Sequence, residues 1–282
     1  MSTMRIAYQG EPGANSHLVI NQNYPEAEAI ACASFEDVFE TVKSGDAELA
    51  MIPIDNSLAG RVADIHHFLP TSNLHIVAEH FLRIQFMLMG VPGTTLDSIK
   101  TVHSHVHALG QCRKIIKDHG WEPVIAGDTA GAAREIAEAN DPHQAAIAPE
   151  LAAEIYGLEI LARDVEDEDH NTTRFVLLSP DEVRTDPNEG PIVTSFIFSV
   201  RNIPAALYKA LGGFATNGIN MTKLESYMVG GKFTATQFLA EVDGHPDDPP
   251  LARALEELKF YTDELRIFGV YPADPKRAEL HS

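Results

Sequence analysis

One rhythm constrains this chain more than any other feature: a short apolar run, a small polar junction, then a stretch of helical periodicity, several times over. Met4 to Tyr8 reads as a strand, and Gln9 to Ser16 as a polar turn that opens a helix at about His17. Glu28 to Cys32 is apolar enough for a second strand. Ser34-Phe35-Glu36-Asp37 then has the spacing of a capping box, for a helix that ends at Ser44-Gly45. Leu49 to Ile54 is a third strand, followed by the polar junction Asp55 to Arg61. His75 to Met89 is strand-like throughout. Thr101 to His103 is a short strand that gives way at Ser104 to a helix through Leu109, Cys112, Ile115 and Ile116 to Gly120. After Val124 to Gly127, Asp128 or Thr129 can cap a helix through Ala133 and Ile136. Ala145 to Ala148 and Glu159 to Ala162 complete the set. Strands alternating with helices call for parallel sheet and an α/β fold class.

The grammar changes after Ser179-Pro180. Residues 181–191 carry prolines, a glycine and charges without periodicity, as a linker does. Beyond it, Val193–Val200 (strand), Ala205–Phe214 (helix), Met221–Met228 and Thr234–Val242 (strands), Leu251–Phe260 (helix) and Leu265–Val270 (strand) follow the order βαββαβ of a ferredoxin-like unit. The polar tail from Pro272 is expected to fray.

Composition narrows the function classes. The formal charge of -20 over 282 residues argues against a nucleic-acid or acidic-membrane surface, which needs a positive field. A small anion is still admissible, because a local arginine or a helix N-terminus overrides a distant field. No apolar run approaches a membrane span and Met1 to Arg5 lacks a signal-peptide core, so a cytoplasmic location is expected. The cysteines, Cys32 and Cys112, suggest neither a disulfide framework nor a thiolate metal site. His103, His105 and His107 alternate, but a helix starting at Ser104 breaks the alternation and nothing completes a tetrahedral set, so zinc is disfavoured. His66 and His67 read as helix-surface residues. No dinucleotide fingerprint, P-loop or nucleophile elbow is present.

The stretch Asp169 to Phe175 is where an acid run ends and the buried strand Phe175 to Leu178 begins, so Asn171, Thr172, Thr173 and Arg174 are held at a strand mouth. Thr-Thr-Arg offers two hydroxyls beside one cation. Junctions 13–16, 56–60 and 104–107 bring small hydrogen-bonding residues to the positive ends of helices. Ordinary capping explains any one of them; together with Thr172-Thr173-Arg174 they point to an anion-binding cleft.

This combined set resembles the prephenate dehydratase family with a C-terminal ACT regulatory domain, over nearly the whole chain. Pro53 to Gly60 is similar to the family's Pro-Ile-Glu-Asn-Ser element, with Asp55 for the usual Glu. Ser104 to Cys112 is similar to Ser-His-Pro-Gln-Ala-Leu-x-Gln-Cys, departing at Val106 and His107. Asp128 to Ala133 and Asn171 to Phe175 match without departure, and Gly218 to Ser226 resembles the effector-site strand.

The resemblance implies a two-lobed periplasmic-binding-protein-like catalytic domain at 1–180, a linker at 181–191 and an ACT domain at 192–272. It implies loss of carbon dioxide and the ring hydroxyl from prephenate to give phenylpyruvate, with no cofactor or metal. Thr173 would assist departure of the hydroxyl. Ser16, Asn56, Ser57, Ser104, Gln111, Thr129, Thr172 and Arg174 would bind substrate. L-phenylalanine would be the effector, at Ala205, Ala206, Leu207, Asn220, Met221, Thr222, Glu225 and Ser226. The usual Gly-Ala-Leu reads Ala205-Ala206-Leu207 here, and the usual Glu-Ser-Arg-Pro reads Glu225-Ser226-Tyr227-Met228. A homodimer or homotetramer is expected. The alternatives are an arogenate dehydratase and a non-catalytic sensor of small anions or amino acids.

Overall fold

The computed structural model describes residues 3–62, 68–69, 72–183, 185–228 and 235–280. His66 and His67 lie outside the described residues. Two compact units divide the chain, one of residues 1–68 and 80–175, the other of residues 69–79 and 176–282.

The first unit is α/β and two-lobed, with the strands of its two lobes in different sheets. In the first lobe β1 (Arg5–Gln9) is central, parallel to β2 (Glu28–Cys32) on one side and to β3 (Leu49–Asn56) on the other. The short β4 (Gly60–Arg61) folds back on β3. Helix α1 (Asn15–Asn23) follows β1, and α2 (Phe35–Ser44) follows β2. The capping box forms as expected: the Ser34 hydroxyl accepts from the Asp37 amide at 3.1 Å, the Asp37 carboxylate accepts from the Ser34 amide at 3.0 Å, and Gly45 ends the helix in the left-handed region.

The expected continuous strand over 75–89 is instead two, β5 (His75–Arg83) and β6 (Met87–Gly90), in different sheets. Apolar periodicity runs unbroken across Ile84-Gln85-Phe86, but their backbone bonds go elsewhere: Ile84 donates to the Asn171 carbonyl and Phe86 to the Glu166 carboxylate. The second lobe follows as β7 (Thr101–Ser104), α3 (Val106–Gln111), α4 (Arg113–His119), β8 (Glu122–Ile125), α5 (Thr129–Ala139), β9 (Gln144–Ala148), α6 (Glu150–Tyr156) and β10 (Glu159–Ala162). Its sheet order is β10-β6-β9-β7-β8, with an alanine-rich core of Ala130, Ala133, Ala146, Ala148 and Ala152 around Met89 and Ile136.

Here too the expectation needs correction. Ser104 closes β7 rather than opening a helix, and the single helix to Gly120 breaks at Cys112. The break has a cause outside the segment, since the Asp167 carboxylate accepts from the Arg113 and Lys114 amides at 3.0 Å each and starts a second helix there. After β10 the chain returns to the first lobe as β11 (Thr172–Ser179), beside β3.

The second unit is ferredoxin-like: β12 (Ile192–Val200), α7 (Ala206–Thr216), β13 (Met221–Met228), β14 (Ala235–Asp243), α8 (Pro249–Tyr261) and β15 (Thr262–Pro272), in the strand order β13-β14-β12-β15. Its core stacks Phe196, Phe198, Phe214 and Phe238 under Leu251, Ala254 and Leu258. Gly269 is required by close approach: a Cβ there would stand 2.8 Å from the Ile76 Cβ.

The tail is not frayed. Helix α9 (Lys276–Leu280) buries Arg277, whose guanidinium meets both Glu79 oxygens at 2.7 and 2.5 Å and lies 3.7 Å from Glu241. A composition-based reading cannot see that the charges of a polar tail have buried partners elsewhere.

Candidate active site

A cleft of about 330 Å³ opens in the first unit, walled by strand ends and helix starts from both lobes. β1 delivers Gln9 and Gly10, and β3 delivers Asn56. β11 delivers Thr173 and Phe175, with Asn171 immediately before it. From the second lobe come His105, His107 and Gln111 of the α3 segment and Asp128 and Thr129 at the start of α5.

Gly13, at φ +95°, lies in the loop that leads into the cleft, and a Cβ on it would come within 2.7 Å of the Ala152 backbone. Only glycine fits both constraints. The first turn of α1 follows with no side-chain cap at Ala14, and Ser16 lines the cleft. Asn15 Oδ1, on the same wall, is buried with no hydrogen-bond partner among the described residues.

The polar core of the cleft is a directed chain of amides. Asn56 Oδ1 accepts from the Leu58 amide at 3.0 Å and the Ala59 amide at 2.8 Å, which fixes the orientation of its carboxamide. Asn56 Nδ2 must therefore donate, and it donates to Asn171 Oδ1 at 2.7 Å and to Thr173 Oγ1 at 2.9 Å. Asn171 Nδ2 in turn donates to Gln111 Oε1 at 2.9 Å, which leaves the Gln111 amide group as a donor. With Asn56 as its donor, the buried Thr173 hydroxyl keeps its own proton to give.

Charge is sparse here. No lysine or arginine is among the described residues that line the cleft. Burial holds the His105 imidazole below its ordinary range, with neighbouring His107 pushing the same way and Asp128 opposing. His17 is also lowered by burial, and its Nδ1 accepts from the Gly13 amide at 3.1 Å.

Of the residues singled out from sequence, Ser16, Asn56, Gln111, Thr129 and Thr173 meet on this cleft. Four others do not. The Ser57 hydroxyl donates to the His170 carbonyl and accepts from the Thr172 amide, at 2.9 Å each, and so stitches two loops together. Thr172 and Arg174 flank Thr173 on a strand and so point to the other face. Arg174 is buried beside Asp55 at 3.5 Å. Ser104 is fully buried, with its hydroxyl on the Ile147 carbonyl at 2.6 Å. Asn171, His105 and His107 are on the cleft without having been chosen as site residues. Asn171 opens the very motif that contains Thr173, and that position was its signal.

In the second unit, Ala205 caps α7 at φ +63°, in the left-handed region, and Ala206 and Leu207 form the first turn. Met221, Thr222, Glu225 and Ser226 lie on the edge strand β13. Asn220 donates to Asp243 at 2.7 Å and borders a separate cavity of about 670 Å³, whose lining does not include residues 205–207.

The prephenate dehydratase family model matches residues 6–183. The bifunctional N-acyl-homoserine lactone acylase/prephenate dehydratase of Komagataeibacter europaeus is 51% identical over 272 residues, 96% of this chain and 97% of that protein. The chloroplastic arogenate dehydratase/prephenate dehydratase 2 of Arabidopsis thaliana is 36% identical over 97% of this chain and 74% of its own length. Among solved structures, the prephenate dehydratase of Arthrobacter aurescens in complex with L-Phe superposes with a TM-score of 0.87, at 29% identity, covering 99% of this chain and 97% of that one. By sequence and by fold, this chain belongs to the prephenate dehydratase family.

Proposed function

We propose that the cleft carries out the decarboxylating dehydration of prephenate to phenylpyruvate, with Thr173 as the group that assists departure of the ring hydroxyl. The bond from the ring to its carboxylate breaks and releases carbon dioxide. That electron pair enters the ring, which becomes aromatic, and the opposite C–O bond breaks. Hydroxide leaves and is protonated to water. Aromatisation drives the step, so the enzyme's share is to orient a dicarboxylate and help an oxygen depart. One observation carries the reading: Asn56 donates to Thr173 Oγ1, so the threonine proton is available to a leaving oxygen. Gln111, Ser16 and Thr129 would bind substrate from the walls, and the uncapped first turn of α1 would meet a carboxylate. Ser57, Thr172, Ser104 and Arg174 would act through the frame of the site. Turnover of prephenate and of arogenate, followed by ultraviolet absorbance, tests the reading; no turnover of prephenate removes it, and turnover of arogenate alone would replace it with the arogenate dehydratase alternative.

Lactone acylase activity, part of the Komagataeibacter relative's name, calls for an activated nucleophile. The Asn56 amide nitrogen donates to Thr173 and cannot take its proton, which gives that chemistry no support at this hydroxyl. We further propose a monofunctional, cytoplasmic homo-oligomer, dimer or tetramer, with a catalytic domain at 1–180, a linker at 181–191 and an ACT domain at 192–272. L-phenylalanine would bind around Asn220, Thr222 and Ala205 to Leu207 and inhibit. The complex of the Arthrobacter protein with L-Phe supports this effector.

A further inference from the structure

A cleft that takes a dicarboxylate yet is lined by no lysine or arginine among its described residues must hold it with uncharged donors, and besides the amides and hydroxyls already named two imidazoles stand on its wall. His105 is partly spoken for: its Nδ1 accepts from the His107 amide at 3.4 Å as the cap of α3, which places its proton on Nε2. The His107 ring packs against it with centroids 5.1 Å apart. The ring nitrogens of His107 have no hydrogen-bond partner among the described residues. The side chain borders both the main cleft and an adjoining recess of about 400 Å³, and the two hollows also share Ala59, Gln111 and Asn171.

The recess has a cation at its edge, Arg113, whose Nε donates to the Gly110 carbonyl at 2.8 Å. Its carboxylates are engaged in the fold. Glu166 accepts from the Phe86 amide and lies 4.0 Å from Arg83, Asp167 caps α4, and Glu168 is 3.7 Å from His170. Elsewhere the cleft is lined by Pro53, Ile84, Phe86 and Phe175, an apolar wall.

The two carboxylates of the substrate make opposite demands. The ring carboxylate must give up its charge as carbon dioxide forms, so a strong donor there stabilises the ground state and slows the step. The side-chain carboxylate keeps its charge throughout and can be gripped without that cost. We propose that His107 is a specificity-determining residue, donating a ring N–H to the side-chain carboxylate that the substrate retains, with Arg113 in the recess behind it. This role rests on the dehydratase reading above.

Steady-state kinetics with prephenate, together with product inhibition by phenylpyruvate, test it on the full chain. The surface position of His107 lets H107A fold, and H107Q keeps a donor. In H107A, KM should rise roughly 10- to 100-fold, the worth of one hydrogen bond to a charged group, with kcat within about threefold of wild type. The inhibition constant for phenylpyruvate should weaken by the same factor, because the product keeps that carboxylate, and H107Q should recover most of both. An unchanged KM in H107A overturns the role. So does a raised KM with unaltered product inhibition, which would put His107 at the departing carboxylate. Wild-type protein that does not turn over prephenate defeats the dehydratase reading and this role together, whereas turnover with an indifferent H107A defeats the role alone.

Discussion

At the scale of single residues, the proposed chemistry turns on which way one hydroxyl faces. Thr173→Ala should lower turnover of prephenate by roughly 10² to 10⁴, the usual worth of a positioned proton donor, with the denaturation midpoint little changed. Asn56→Asp is the sharper probe. A carboxylate at 56 still accepts from the Leu58 and Ala59 amides, so the loop keeps its bonds. It would also accept from Thr173 rather than donate to it, and so take the proton away from the leaving oxygen. Turnover should therefore fall about as far as in Thr173→Ala, and Asn56→Asp at wild-type rate would show that the hydrogen-bond direction is irrelevant. Sequence made Thr173, Asn56 and Gln111 legible because each sits in a motif at a strand or helix end. It left Arg174 open to misreading as a carboxylate clamp, since a strand's two-residue period turns Thr173 and Arg174 to opposite faces and motif proximity hides that. In the sequence alone, His105 and His107 invite only the question of a metal site, because their access to the cleft depends on α3 beginning after Ser104.

At the scale of elements, ends decide more than middles. The strands and helices of the βαββαβ unit were legible to within a few residues because both periods alternate cleanly there. Two of the misplaced boundaries of the first unit, at Ile84 to Phe86 and at Cys112, are set by partners remote in sequence, Asn171 and Glu166 for one and Asp167 for the other. Arg277 is the strongest case of such a remote tie. Its removal would take the guanidinium away from Glu79 and Glu241, both almost wholly buried. Arg277→Ala should cost about 3–5 kcal/mol in chemical denaturation, the usual penalty of breaking a buried ion pair by removing one partner. A loss under 1 kcal/mol would mean that water replaces the guanidinium. Ala205 illustrates the converse, a residue at odds with its backbone. It holds φ +63° where the family pattern has glycine, at a cost of about 1–2 kcal/mol. Ala205→Gly should accordingly be neutral or stabilising by up to about 1 kcal/mol in the same measurement, even though glycine loosens the unfolded chain.

At the scale of the whole molecule, stability should respond to acid through half-buried imidazoles. His17, His103 and His105 are each held below the ordinary value by burial, so the folded chain prefers them neutral. Below about pH 6.5 the unfolded chain binds more protons than the folded one, and unfolding free energy therefore drops as pH falls from there. A thermal midpoint that is flat from pH 7 to 5 would deny them that role. Assembly is the larger question. β13 ends the ferredoxin-like sheet, and Met228 and Leu224 on it are exposed, so an edge with apolar side chains awaits a cover. A second copy across a two-fold axis is the common remedy, and light scattering should find at least a dimer. The cavity of about 670 Å³ that Asn220 borders is not lined by the turn Ala205 to Leu207. If phenylalanine bridges two chains to reach both, linkage fixes the outcome: a ligand that binds the dimer more tightly than the monomer tightens the dimer by the factor by which dimerisation tightens the ligand. Sedimentation at graded protein concentrations should thus show the dissociation constant of the dimer falling as phenylalanine is added, and calorimetry should show its heat vanishing on dilution to monomer. Phenylalanine that binds with an unchanged dimer constant would instead occupy a site complete within one chain, and its route to Thr173 would then have to run inside a single subunit.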